Sequence, residues 1–219
     1  DGTIEVDTVI PVPDTSRPVA QAVGQFLDIR VREGLIKNRY IGRTFIMPGQ
    51  AERQKSIKSK LNPIALELRD RNVLLVDDSI VRGNTSRKII EMVRSCGAKK
   101  VYLASAAPAL RHPCVYGVDL PSRKEYVAHG LNEAEVAKAL GADGVFYQEL
   151  PDLIESVQAG NPKISNFCHA CFSGKYPTPE VTEEVLRRAE ESRGRIDEDT
   201  SLVRQSEEQI PFIIDNGNL

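Results

Sequence analysis

Residues 73–86 read VLLVDDSIVRGNTS. Four consecutive apolar residues, Val73-Leu74-Leu75-Val76, have the pattern of a short strand covered on both faces. Two adjacent carboxylates, Asp77 and Asp78, stand at its carboxyl end. Ser79, Ile80, Val81, Arg82, Gly83, Asn84, Thr85 and Ser86 then lead into a predicted helix from about Thr85 to Ser95. Ile89, Ile90 and Val93 lie on its inner face, and Gly97 stands where a helix C-cap is expected. Gly83 lets backbone come close to a ligand, and the unbonded N–H groups of the helix start attract a phosphate. Thr85 and Ser86 add hydroxyl donors. An acidic pair beside a phosphate cradle suits Mg²⁺, which takes oxygen ligands; alternatively the two aspartates bond ribose hydroxyls, directly or through metal-bound water. A bare pair of aspartates after a strand is as readily a capping device. The whole fourteen-residue string is far more specific.

Strands and helices alternate outward from this stretch. Residues 4–12, IEVDTVIPV, read as a buried strand. A chain seldom begins one step before a core strand, so a longer parent is expected. The turn-rich PDTSRP (13–18) carries helix-capping residues, and Val19, Ala22, Val23, Phe26 and Leu27 recur at helical spacing. From about Lys37 to Asn62 no period fits: Gly42, Pro48 and Gly49 interrupt and basic residues crowd in, the pattern of a functional or disordered loop. Downstream, Val101–Ala107 and Val145–Tyr147 read as strands, Glu133–Leu140 and Leu150–Val157 as helices. This order predicts an α/β fold with a mostly parallel sheet flanked by helices. Ligands of such sheets bind beyond the carboxyl ends of the strands, here residues 13–18 and 77–87. After Pro177 the composition changes. Glu183–Arg195 is charged and helical in pattern, and the rest of the C-terminal helical or irregular tail has little core pattern beyond Ile210–Ile214.

With 219 residues, 41% hydrophobic, the chain can bury one sizeable core. Its 29 basic and 31 acidic residues nearly cancel, to a net charge of -2, which argues against a nucleic-acid scaffold or a membrane-surface protein. No apolar run is long enough for a membrane helix and no signal peptide opens the chain. Four cysteines, two of them in a CxxC, are not a disulfide framework, and a reducing cytoplasmic setting is expected. Cys168 and Cys171 (CHAC) with the distant Cys114 can hold zinc or an iron–sulfur cluster. Cys96 is expected to be a packed core thiol, and His169 to lie on the surface.

The string at 73–86 resembles the phosphoribosylpyrophosphate-binding signature of the type I phosphoribosyltransferases. That resemblance implies their fold, with Asp77 and Asp78 facing the ribose and Mg²⁺, and Ser79, Arg82, Gly83, Asn84, Thr85 and Ser86 in the loop that holds the 5-phosphate. It also implies that the turn Asp14, Thr15, Ser16 cradles the pyrophosphate, the Thr15 hydroxyl reaching the metal. Where the family usually has Thr, this chain has Asn84, which as a good helix N-cap is expected to preserve the loop.

Further segments, IPVPDTSRPVA (10–20), KNRYIGRTFIMPGQ (37–50), KSKLNP (58–63), YLASAAPALRHPCVYGVDLPS (102–122), AHG (128–130) and FSGKYPT (172–178), together resemble the amidophosphoribosyltransferases. The resemblance implies a phosphoribosyltransferase domain over 1–178 and a charged tail over 179–219. It makes 37–62 a lid that brings Lys37, Tyr40 and Arg43, with Lys60 a weaker candidate, onto the departing pyrophosphate. The implied reaction is Mg-dependent displacement of pyrophosphate from 5-phosphoribosyl-1-pyrophosphate by ammonia, giving 5-phosphoribosylamine, the first step of de novo purine biosynthesis. In the family an N-terminal glutaminase domain, with a cysteine at its own N-terminus, supplies the ammonia; this chain opens on Asp1 and is expected to lack that half. Some members carry a [4Fe–4S] cluster, and Cys114, Cys168 and Cys171 match three of its ligands, the fourth lying upstream. Purine nucleotides as feedback inhibitors and a homo-oligomer are also implied, with neither nucleic acid nor membrane as partner. Another phosphoribosyltransferase, for base salvage, and a non-catalytic regulator that senses phosphoribosylpyrophosphate are the alternatives.

Overall fold

A computed structural model of the chain describes residues 4–38, 61–118, 120 and 122–191. The order is β1 (Thr8–Pro11), α1 (Arg17–Leu27), β2 (Leu35–Lys37), β3 (Leu61–Pro63), α2 (Ala65–Leu68), β4 (Asn72–Asp77), α3 (Asn84–Ser95), β5 (Lys100–Ser105), α4 (Glu133–Leu140), β6 (Gly144–Tyr147), α5 (Leu150–Gly160) and α6 (Ala170–Ser173). A 3-10 turn covers Arg123–Glu125, and residues 183–191 form a C-terminal helix. Four strands make a parallel sheet in the order β1-β4-β5-β6.

Helices pack on both faces at the centre of this sheet, and the side chains alternate as the pleat demands; at the edge strand β6, Phe146 is left exposed. Val73 and Leu75 of β4, Val101 and Leu103 of β5 and Val145 of β6 share one cluster with Ile89, Ile90 and Val93 of α3 and Val136 and Leu140 of α4. Leu74, Val76 and Tyr102 point the other way and pack with Val9, Ala20, Val19 and Val23. The run 73–76 is therefore apolar throughout because each of its faces has a helix against it.

Some boundaries differ from the sequence expectation. The first strand spans Thr8–Pro11, not 4–12, because its ladder with β4 begins at Thr8; Asp7 closes that end, donating its N–H to the Asn72 carbonyl at 2.9 Å and accepting the Asn72 N–H on its carboxylate at 2.6 Å. The strand from Val101 ends at Ser105, where the hydroxyl donates to the Ala107 carbonyl at 2.7 Å and turns the chain. In α1 the inner line is Ala20 and Gly24, and Phe26 is 87% exposed. Six residues past Ala20, at about 100° per residue, Phe26 lies roughly 120° from the buried line. A Cβ at Gly24 would overlap the Val31 side chain and the Ile29 carbonyl, so glycine lets α1 approach the segment beside β1.

The two ends of the irregular stretch are ordered. Leu35–Lys37 and Leu61–Pro63 form an antiparallel ladder pairing Leu35 with Pro63, Ile36 with Asn62 and Lys37 with Leu61. The expected lid residues Tyr40, Arg43 and Lys60 lie outside the described residues. So do residues 192–219, which include the end of the helix expected over Glu183–Arg195.

Candidate functional site

The carboxyl ends of β1 and β4 deliver the site. β1 runs into the turn 12–16, whose Pro13–Asp14 peptide bond is cis. The buried Ser16 hydroxyl donates to the Val12 carbonyl, and the Ser16 carbonyl accepts from Ala20 N–H at 2.9 Å, starting α1. Asp14 and Thr15 stand between these anchored points. Thr15 Oγ1 donates to Asp78 Oδ2 at 2.6 Å, joining the turn to the acidic pair. Lys37 at the end of β2 places Nζ 3.1 Å from Asp14 Oδ2, and Arg17 lies 3.9 Å from the other oxygen of Asp14. Three segments that are distant in sequence, 14–17, 37 and 77–78, thus meet at one sheet end.

Asp77 is half-buried and Asp78 exposed. Loss of water and the neighbouring charge of Asp78 push the Asp77 carboxyl up to about 7, against a smaller opposing effect of the Asp78 N–H, which donates to Asp77 Oδ1 at 2.9 Å. Ser79 Oγ donates to Asp78 Oδ1 at 3.3 Å. A divalent cation would relieve the repulsion between these carboxylates, so the donor set fits Mg²⁺.

Beyond the pair, the chain crosses residues 79–82 and enters α3. The expected cap is corrected here. Gly83, not Asn84, is the N-cap, because the turn needs a φ of 73°, which glycine adopts without strain; Asn84 is already the first helical residue. No side chain caps this end, so the first amides of a twelve-residue helix are open to an anion. Asn84 and Thr85 are exposed beside them, whereas Ser86 is buried. Arg82 turns away to Glu125, with its Nε 2.8 Å from Oε1.

Glu125, Ser122 and Val127 are site neighbours that sequence reasoning missed. Ser122-Arg123-Lys124-Glu125 has the S-x-x-E spacing of a capping box, which the structure realises: Glu125 Oε2 accepts from Ser122 N at 3.0 Å and from Ser122 Oγ at 2.9 Å. That pattern was the available signal.

The cysteines form a separate locus. The Cys171 carbonyl accepts N–H bonds from Arg111 and His112, each at 3.0 Å, which draws the CHAC segment onto the chain leading to Cys114. Burial pushes the Cys171 thiol up, and Cys114 and then Cys168 push it in the same direction. Among the described residues no three His, Cys, Asp or Glu surround a single ion position. Thiolates are the donor type that a four-iron cluster takes, one to each iron. Cys96, expected to be a packed core thiol, is the C-cap residue of α3 and packs on the core from there. His169, expected on the surface, is half-buried at the start of α6 with Nδ1 2.8 Å from Ser173 Oγ.

Comparison with known proteins agrees with this geometry. A family model described as "Phosphoribosyl transferase domain" matches residues 1–120, which contain both the turn at 14–16 and the acidic pair. The amidophosphoribosyltransferase of Pseudomonas aeruginosa is 55% identical over 189 residues, covering 86% of this chain and 38% of the relative. That of Escherichia coli is 50% identical over 204 residues, covering 93% and 40%. Among solved structures, the glutamine phosphoribosylpyrophosphate amidotransferase of Bacillus subtilis complexed with ADP and GMP superposes with a TM-score of 0.71 at 38% identity, over 84% of this chain and 40% of that one. A structure described as the allosteric regulatory enzyme of purine biosynthesis gives 0.72 at 37% identity, over 86% and 41%. The chain spans about two fifths of the length of these relatives. With a parallel sheet ending in an acidic pair and an uncapped helix, and with more than half its length matched, the chain belongs to the phosphoribosyl transferase domain family.

Proposed function

We propose that this chain is the phosphoribosyltransferase half, domain 1–178 with tail 179–219, of an amidophosphoribosyltransferase that opens purine biosynthesis. The carrying observation is the meeting of Asp14, Thr15, Lys37, Asp77 and Asp78 beside the open start of α3. Asp77 and Asp78, with the Thr15 hydroxyl, would hold Mg²⁺, which when bound offsets the charge that grows on the departing pyrophosphate. The amides of the turn at Asp14, Thr15 and Ser16 cradle that pyrophosphate. The loop Ser79, Arg82, Gly83, Asn84, Thr85 and Ser86, with the first amides of α3, holds the 5-phosphate. Lys37, with Arg43 and Lys60 of the expected lid, adds positive charge at the leaving group, and Tyr40 adds a hydroxyl donor. Ammonia attacks C1 of the ribose as the C1–O bond breaks, the bonding electrons leaving with pyrophosphate, and the nitrogen then sheds a proton. No enzyme nucleophile takes part; positioning and charge carry the rate.

In the full-length protein, an upstream glutaminase domain supplies the ammonia. The Bacillus relative's complex with ADP and GMP supports purine nucleotides as feedback inhibitors. Cys114, Cys168 and Cys171 supply three thiolates of a [4Fe–4S] cluster, the fourth coming from upstream. We read the enzyme as a cytoplasmic homo-oligomer.

The test is Asp77→Asn and Asp78→Asn in the full-length protein. With circular dichroism unchanged, each is expected to lose about 100-fold or more in kcat/KM for phosphoribosylpyrophosphate. Unchanged kinetics in both would sink the assignment, and transfer to a purine or pyrimidine base would favour a salvage enzyme.

A further inference from the structure

The loop between β4 and α3 is braced from behind by a segment some forty residues further along. Three independent contacts make the brace. Arg82 Nε donates to Glu125 Oε1 at 2.8 Å. Val127 N–H donates to the Val81 carbonyl at 3.0 Å. Gly83 is packed so closely that an added Cβ would stand 2.6 Å from Leu140 Cδ2 and 3.1 Å from Val127 Cγ2. Consecutive loop residues 81, 82 and 83 are therefore each held by 125, 127 or α4.

The bracing segment is itself clamped. Ser122 fixes the Glu125 carboxylate through its N–H and its hydroxyl, and the pairing with Arg82 and these donors together hold Glu125 below its ordinary carboxylate value, against the opposing effect of its own desolvation. Within the same turn, Arg123 N–H donates to Glu190 Oε1 at 2.7 Å, and its guanidinium donates to Glu183 Oε2 at 2.9 Å. Both glutamates belong to the C-terminal helix 183–191, whose Leu186 is 2% exposed and so seats the helix on the domain. One 3-10 turn thus faces the loop through Glu125 and the C-terminal helix through Arg123.

We infer that Glu125 is a positioning residue for the phosphate loop, and that the C-terminal helix sets substrate affinity through it by holding the turn 122–125 in place. The inference rests on the reading of residues 79–86 as the site of the ribose 5-phosphate. An uncapped helix start binds an anion only if its amides converge on one point, and Arg82 and Gly83 lie immediately before those amides. Loosening their brace spreads the donors. The cost falls on binding of the phosphate, because C1 reacts at the other end of the sugar.

The experiment compares Glu125→Gln, Glu125→Asp, Arg123→Gln and the double variant R123Q/E125Q in the full-length protein. It reads KM and kcat for phosphoribosylpyrophosphate, Kd for ribose 5-phosphate by calorimetry, and Tm. Glu125→Gln is expected to raise both KM and Kd by about fivefold, the scale of one partly exposed ion pair, with kcat changed less than about twofold. Glu125→Asp, which keeps the charge but shortens the reach, falls between it and the parent. Arg123→Gln shifts KM and Kd the same way, and the double variant is no worse than Glu125→Gln, because both act through one turn. Unchanged KM and Kd in a folded Glu125→Gln protein, or a fall confined to kcat, overturns the inference. If that variant does not fold, parent-like values for Glu125→Asp overturn it instead. Asp78→Asn separates the two layers. Impaired binding there with none in the Glu125 variants leaves the site reading standing and removes the brace, whereas no effect in either removes both.

Discussion

A carboxyl half-buried at the end of β4 beside a second carboxylate is pushed well above the range of an exposed aspartate, and this has a sign that can be tested. In the unfolded chain Asp77 titrates near 3.8, and in the folded chain near 7. Between those values the folded state binds more protons than the unfolded one, so stability falls as pH rises through this window and levels off above about 7. Without metal or substrate, Tm is expected to drop from pH 5 to pH 8. Asp77→Asn should flatten that drop, being more stable than the parent at pH 8 by a margin that shrinks at pH 5. Thermal melts of both proteins across this range decide it; parallel curves would show that Asp77 is ionised throughout. Residue-scale chemistry of this kind was partly open to sequence reading. The adjacency of Asp77 and Asp78 is local, and so is their place after an apolar run. Thr15 bonding to Asp78 and Lys37 to Asp14 were reachable only through the resemblance, since nothing in local spacing states which loops the sheet brings together.

At the scale of elements, the start of α3 joins a backbone requirement to a packing one. Gly83 has a φ of 73° and no room for a methyl group against Leu140. Gly83→Ala is therefore expected to destabilise the protein by about 1–3 kcal/mol, from left-handed strain plus the displaced Leu140 and Val127 contacts, as urea denaturation would measure. A loss below about 0.5 kcal/mol would mean that the loop relaxes freely. Strands β4 and β5 and helices α3 and α4 were legible because their signals are local: the apolar runs at 73–76 and from Val101, Ile89-Ile90-Val93, and the stretch Glu133–Leu140. The helix cap was misread because Asn84 has the better capping propensity, while the decisive fact, the φ of residue 83, depends on where Leu140 and Val127 lie. The pairing of Leu35–Lys37 with Leu61–Pro63 escaped notice for a similar reason. Three-residue strands carry too little pattern to announce themselves, and their ladder exists only because distant chain returns. Phe26 followed the helical period yet faces outward, since period alone does not select which side of α1 the sheet will cover.

For the molecule as a whole, the chain's share of its relatives, about two fifths, bears on the nitrogen source. If the site works as proposed, these 219 residues alone use free ammonia but not glutamine, and activity rises with pH as ammonium loses its proton. A full-length parent of the proposed kind is expected to use both donors. Pyrophosphate release with each donor in turn is the measurement, and glutamine-dependent turnover by the 219-residue chain would falsify the division of labour. The antiparallel ladder between residues 35–37 and 61–63 has a consequence of a different kind. It returns the polypeptide to the domain beside the point where it left, so the span is closed at one place in the fold. Loop-closure entropy grows only as the logarithm of length, about 0.6 kcal/mol for each doubling. On that scale, added length between residues 38 and 61 costs the ladder little, so insertions there are expected to leave the sheet, its helices and the acidic pair where they are.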